Sequence, residues 1–241
     1  MLAVILAGGL GTRLRPYTVT FPKPLLPLGD VPILEVVVRQ LAAAGFDRIV
    51  LTLGHMPHMF TTFFDDGTRF GVKIEYCTEP EPRGTAGAIR LIESLEPNFL
   101  VMNGDLLTTV DYRALFAAHV KRGAAGTIGV TRREHRVDYG VIRADDQGLL
   151  QGYDEKPTIE YRVSIGINVL SSVCLEHIPA DTRFDMPDLM LSMARAGKPV
   201  LCHETDCYWQ DIGRFDDYQQ ATADFERDPG KFVPTMPRRS S

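Results

Sequence analysis

The chain is poor in the features that mark several protein classes. It has only four cysteines, at 77, 174, 202 and 207. The spacing of Cys202 and Cys207 does not fit a zinc knuckle. In so long a chain with no export signal, the four read as reduced and mostly buried thiols of a cytoplasmic protein. There is no excess of positive charge: 26 Lys and Arg face 31 Asp and Glu, for a net charge of −5. That disfavours a bulk nucleic-acid binder. No apolar run approaches the roughly 18 residues that a bilayer-spanning helix needs, so no membrane partner is expected. The start, MLAVILAGG, is apolar but lacks the basic region and cleavage site of a signal peptide. No internal repeat is found. What remains is 241 residues with 44% hydrophobic content, enough for a substantial core.

The first half alternates strand-like and helix-like segments. LAVILA (2–7), DRIVLTLG (47–54), VKIEYC (72–77) and NFLVMNGD (98–105) are short continuous apolar runs of the kind buried in parallel sheets. Between them, helices are expected over 32–44, 55–65 and 85–95, and another from a cap at Asp111 to about Lys121. This predicts an α/β fold with a Rossmann-like, mostly parallel sheet flanked by helices, and a ligand beyond the carboxyl ends of the strands. After residue 124 the segments AGTIGVTR, YGVIRADD, GLLQGYDEKP and YRVSIGINVLSS suggest mixed and antiparallel strands covering the site. RREHR (132–136) is expected as a solvated loop, and helices over 185–197 and 213–228 end the pattern. We expect one domain over 1–227, with a nucleotide-binding half (1–123), a sugar-phosphate-binding half (124–227) and a loose tail from 228.

Residues 6 to 30, LAGGLGTRLRPYTVTFPKPLLPLGD, set glycines at 8, 9 and 11 before prolines at 16, 22, 24 and 27. A dinucleotide fingerprint would need a third glycine where Leu14 stands and a helix at once, which the prolines oppose. The glycines are not followed by the G-K-[ST] of a P-loop. Consecutive glycines do let backbone N–H groups converge on an anion. Thr12 adds a hydroxyl, and Arg13 can grip a phosphate with two parallel hydrogen bonds. The proline-rich run then delivers Lys23 at low ordering cost.

This stretch resembles the signature of the sugar-1-phosphate nucleotidylyltransferases, G-G-x-G-T-R-L-x-P followed by P-K-P. Further blocks stand in that family's order: EPEPRGTAG (79–87), NGD (103–105), YG (139–140), DEKP (154–157) and YWQDIG (208–213). The resemblance implies attack by a sugar 1-phosphate on the α-phosphate of a nucleoside triphosphate, with pyrophosphate leaving and Mg²⁺ as cofactor. It implies catalytic roles for Arg13, Lys23, Asp105 and Asp211, the two aspartates holding the metal. It implies a nucleotide site of Leu6, Ala7, Gly8, Gly9, Gly11, Thr12, Arg13, Lys23, Glu79, Gly84, Thr85 and Asp105. For the sugar phosphate it implies Gly140, Glu155 and Lys156. Ser164, Gly166 and Asn168 occupy the strand where the family often carries N-A-G, so the resemblance leaves the sugar open. A homo-oligomer is compatible with it.

Glu79 stands where relatives using dTTP or UTP often have glutamine. A carboxylate only accepts, which suits guanine's N1–H and N2–H₂. GTP is therefore the expected nucleotide, and a mannose- or heptose-type sugar 1-phosphate the nearest acceptor. UTP or dTTP stays an alternative. So does a non-catalytic regulatory subunit that binds a nucleotide sugar.

Overall fold

A computed structural model gives the fold and describes residues 1–234. Strands β1 (Leu2–Leu6), β2 (Arg48–Leu53), β3 (Lys73–Thr78) and β4 (Asn98–Asn103) pair in parallel, with β1 between β4 and β2 and with β3 at the edge. A short strand β5 (Leu106–Thr108) follows β4. The second half supplies β6 (Gly126–Arg136), the hairpin β7 (Val141–Ala144) with β8 (Leu150–Asp154), β9 (Thr158–Ser171), β10 (Val200–Glu204) and β11 (Trp209–Asp211). The central sheet has seven strands in the order β10-β6-β9-β4-β1-β2-β3, with β9 antiparallel to both β4 and β6. One sheet thus draws strands from both sides of residue 124.

Alternation along β1 shows how the sheet is covered. Ala3 and Ile5 face a core built with α1 (Ile33–Ala43), α2 (Pro57–Phe64) and α3 (Tyr112–Arg122). Leu2 and Val4 face a second core built with Ala86, Ile89 and α4 (Met186–Arg195). Two-sided burial accounts for the continuous apolar runs. A third cluster joins Leu14, Leu26, Leu28 and Ile33 to Ile212 and to Ala221 and Phe225 of α5 (Phe215–Arg227). It ties the glycine-proline segment to the end of the chain.

Asp111 caps α3 as expected, accepting from the Ala114 N–H at 2.9 Å. Three expectations need correction. The helix over 85–95 is only a turn at Gly84–Gly87 and a 3₁₀ segment at Ala88–Leu91. Two glycines within its first turn weaken it, and Ile92 leaves in an extended conformation to pack on the second core. RREHR is no loop: it is the outer half of β6, paired antiparallel with Thr158–Arg162. The tail does not loosen at 228, because α6 (Pro229–Phe232) buries Phe232 against Phe225 and Tyr208. The rest of the expected tail, from 235 on, lies outside the described residues.

Candidate active site

The carboxyl ends of β1 to β4 open into a cleft of about 540 Å³, a size that suits a small-molecule ligand. All twelve residues expected at the nucleotide line it: Leu6, Ala7, Gly8, Gly9, Gly11, Thr12, Arg13, Lys23, Glu79, Gly84, Thr85 and Asp105. Among the described residues, no acceptor takes the backbone N–H of residues 8 to 13. The bonds on either side are Ala7 N–H to Thr52 O and Leu14 N–H to Gly11 O. A row of free donors that ends beside Arg13 is what an anion needs. Buried Leu14 and the Thr18 hydroxyl, which donates to Gly11 O at 2.8 Å, anchor the segment. Short 3₁₀ turns at Tyr17–Val19 and Lys23–Leu25 carry it onward.

The two separated aspartates are brought to neighbouring strands, Asp105 lining the cleft and Asp211 lying outside its lining. β11 pairs with β5 so that Asp211 lies opposite Leu106, and the Ile212 N–H donates to Asp105 O at 3.2 Å. Lys23 is a nearly buried cation whose Nζ lies 2.5 Å from Asp105 Oδ2. A Cβ placed on Gly213 would meet Asp211 Oδ2 at 3.3 Å, Asp217 Oδ2 at 3.6 Å and Arg13 Nη1 at 3.7 Å. Asp211 keeps an exposed face, but partial loss of water contact raises its pKa and the Asp105 charge raises it further; Lys23 and Arg13 offset this only in part. The cluster therefore has room for another positive charge.

On the opposite wall, Glu79 Oε2 accepts from the Arg83 N–H at 3.1 Å. Its Oε1 would be 2.9 Å from a Cβ on Gly8. A Cβ on Gly54 would sit 2.7 Å from Gly8 O, so both glycines are needed for β1 and β2 to end side by side. Gly84 adopts φ +78°, and a side chain there would strike Phe184 O at 2.6 Å. The Thr85 hydroxyl is already committed. It lies 3.3 Å from Asp185 Oδ1 and accepts the Met186 N–H at 2.7 Å. Asp185 in turn does not cap its own helix but accepts the Thr85 N–H at 3.0 Å.

The residues expected at the sugar phosphate are not brought to the cleft wall. Gly140 is packed under the Tyr153 hydroxyl, which leaves no room for a Cβ. Glu155 and Lys156 are exposed at the end of β8, and Lys156 has φ +46°. A bulge separates Ser164 from Asn168 along β9; Ser164 is exposed and Asn168 buried. Gly166 lies against the Asn103 side chain, which does line the cleft. Sequence reasoning missed the liners Thr52, His55, Arg183 and Asp185. Further liners inside the quoted blocks, such as Asn103 of N-G-D, Pro80 and Pro82 of EPEPRGTAG and Gly213 of YWQDIG, did carry a local signal.

A family model described as nucleotidyl transferase matches residues 2–228. The chain is 34% identical over 92% of its length to a UTP–glucose-1-phosphate uridylyltransferase of Synechocystis sp.. It is 32% identical over 93% of its length to a mannose-1-phosphate guanylyltransferase of Mycobacterium tuberculosis. It spans 62% and 64% of the lengths of those two proteins. Its fold matches the crystal structure of HddC from Yersinia pseudotuberculosis, with a TM-score of 0.70 and 27% identity, covering 93% of this chain and 99% of that one. The same protein complexed with GMP-PN gives a TM-score of 0.68 and 26% identity over the same shares.

Proposed function

This chain belongs to the nucleotidyl transferase family, and on that premise we propose that it transfers a nucleoside monophosphate from a triphosphate to a sugar 1-phosphate, releasing pyrophosphate. The observation that carries the reading is the convergence of the free 8–13 amides, Lys23 and Asp105 on one cleft, with Asp211 held next to Asp105 by the β5–β11 ladder. The amides and Arg13 hold the β- and γ-phosphates of the incoming nucleotide. Lys23 neutralises the α-phosphate as charge builds there. The sugar phosphate is already a dianion and needs no side-chain base, so catalysis is positioning and electrostatics.

The donor set fits a hard divalent cation. Among the described residues no group of three or more His, Cys, Asp or Glu assembles. Two carboxylates with substrate phosphates completing the shell is the usual Mg²⁺ arrangement. Asp105 and Asp211 would hold Mg²⁺, which supplies charge neutralisation at the α-phosphate and at the attacking oxygen.

For the base we favour guanine. Glu79 is an acceptor fixed by the Arg83 N–H, and a relative solved with GMP-PN shares the fold. The similarity to a uridylyltransferase supports the second reading, UTP with glucose 1-phosphate. A mannose- or heptose-type acceptor goes with the guanine reading. It is to be bound by the second half, residues 124–227, next to the nucleotide cleft; of the residues expected for it, Gly166 lies against the cleft liner Asn103, while Gly140, Glu155, Lys156, Ser164 and Asn168 do not line that cleft. Residues 1–227 act as one catalytic domain. The four unpaired cysteines agree with a reducing, cytoplasmic setting.

Pyrophosphate release measured for four nucleoside triphosphates against several sugar 1-phosphates, with and without Mg²⁺, tests this reading. GTP with a manno-configured acceptor should be fastest, and Mg²⁺ should be required. No release with any pair would leave the regulatory-subunit reading instead. Glu79→Gln should lower kcat/KM for GTP by about tenfold while changing UTP use less; equal losses would reject the base assignment.

A further inference from the structure

Thr52 is fully buried near the carboxyl end of β2 and lines the cleft. Its Oγ1 is the buried side-chain polar atom left without a hydrogen-bond partner among the described residues. Such a group costs stability unless something completes it. Valine would fill the same space in a strand without that cost. Packing alone therefore does not explain a threonine here.

Its place in the sheet says what would complete it. Along β2, Ile49, Leu51 and Leu53 face the first core and Val50 the second, so Thr52 belongs to the face roofed by the 84–91 turn. Its neighbours in the cleft there include Leu6, its register partner on β1, and Ala88. Two residues on, about 7 Å along the strand, Gly54 meets Gly8, against which Glu79 Oε1 lies. The floor thus carries a hydroxyl and a carboxylate acceptor on one side of the sheet.

We infer that Thr52 is a base-reading residue: its hydroxyl donates to a ring carbonyl oxygen while Glu79 accepts the ring N–H beside that carbonyl. The inference rests on the nucleotidyl-transfer reading and deepens it, because it names the base class. Guanine, uracil and thymine all present N–H next to C=O. Adenine and cytosine present an amino group next to a bare ring nitrogen, whose lone pair would face the Glu79 carboxylate. The site therefore selects bases with a lactam edge, whichever of GTP or UTP proves the better substrate.

The test compares wild type, Thr52→Val and Thr52→Ser by calorimetric titration with GTP, UTP and ATP, and by thermal unfolding without nucleotide. Wild type should bind GTP or UTP well ahead of ATP. Thr52→Val should weaken the preferred nucleotide by about five- to tenfold, with KM rising more than kcat falls, and Thr52→Ser should restore most of the affinity. Without nucleotide, Thr52→Val should melt no lower than wild type, since it removes an uncompensated group. Unchanged GTP and UTP affinity in Thr52→Val, or a lower melting temperature without ligand, would mean that the hydroxyl is satisfied within the protein and would overturn the assignment. Equal binding of ATP by wild type would overturn the lactam selection. Wild type that binds no nucleotide at all would fail the reading beneath it as well.

Discussion

The parallel sheet has carboxylates at its outer edge and at its cleft, and their chemistry diverges. At the edge, Glu75 of β3 sits between Arg48, 2.6 Å away, and Lys73, 2.5 Å away. Hydrogen bonds from Arg48 first, then from Lys73, hold its pKa below the ordinary value. At the cleft, burial and then Asp105 push Asp211 the other way. The edge cluster is electrically complete within the chain. The cleft cluster is left short of positive charge, with Lys23 and Arg13 only partly offsetting it. Structural carboxylates are satisfied by their own neighbours, whereas this pair is arranged for charge that arrives with substrate.

Substitutions at the two clusters should separate these roles. The largest effect is expected from Asp105→Asn, which should lower kcat for pyrophosphate release by about 10²–10³-fold, as for loss of one electrostatic stabiliser. An unchanged rate would remove Asp105 from the chemistry. Asp211→Asn should cost activity too, yet leave the ligand-free protein at least as stable as wild type at pH 7.5, the gain being small because Asp211 is exposed. The sign follows from its raised pKa. Its destabilising contribution is absent well below the ordinary carboxyl value of 3.8, grows as pH rises past that value and is complete above the folded pKa. Any gain should therefore shrink as pH falls towards 3.5, and a loss of stability at pH 7.5 would contradict the picture. Glu75→Gln gives the smallest and opposite effect: a loss of about 0.5–1 kcal/mol at pH 7 with normal activity. Because the Glu75 pKa is lowered, that contribution is present above the ordinary value of 4.5 and disappears as pH falls through the folded value. Denaturant melts at pH 7 and pH 3 read it directly.

Much of this frame was legible in the sequence because it is local. Continuous apolar runs announced β1 to β4, and the segregation of glycine from proline announced the turn that lines the cleft. Asp105 and Asp211 could be paired only through resemblance; the β5–β11 ladder supplies the physical link. Illegible features depend on distant partners. Asp185 looks like a helix cap until Thr85, a hundred residues earlier in the chain, captures it. Phe232 sits in a polar tail and is held by Phe225 and Tyr208. RREHR alternates poorly as a strand, and only its partner Thr158–Arg162 makes it one. The sugar-side residues, three of them on β9, do not line the nucleotide cleft.

The exchange between Thr85 and Asp185 has a mechanical consequence. The wall at Gly84 and Thr85 is bolted to the first turn of α4, and Met186, Leu189, Met190 and Met193 of α4 are sunk in the second core. Prising that wall outward would drag a whole helix through packed methionines. That wall is therefore a fixed bank of the cleft, held in place by the second core.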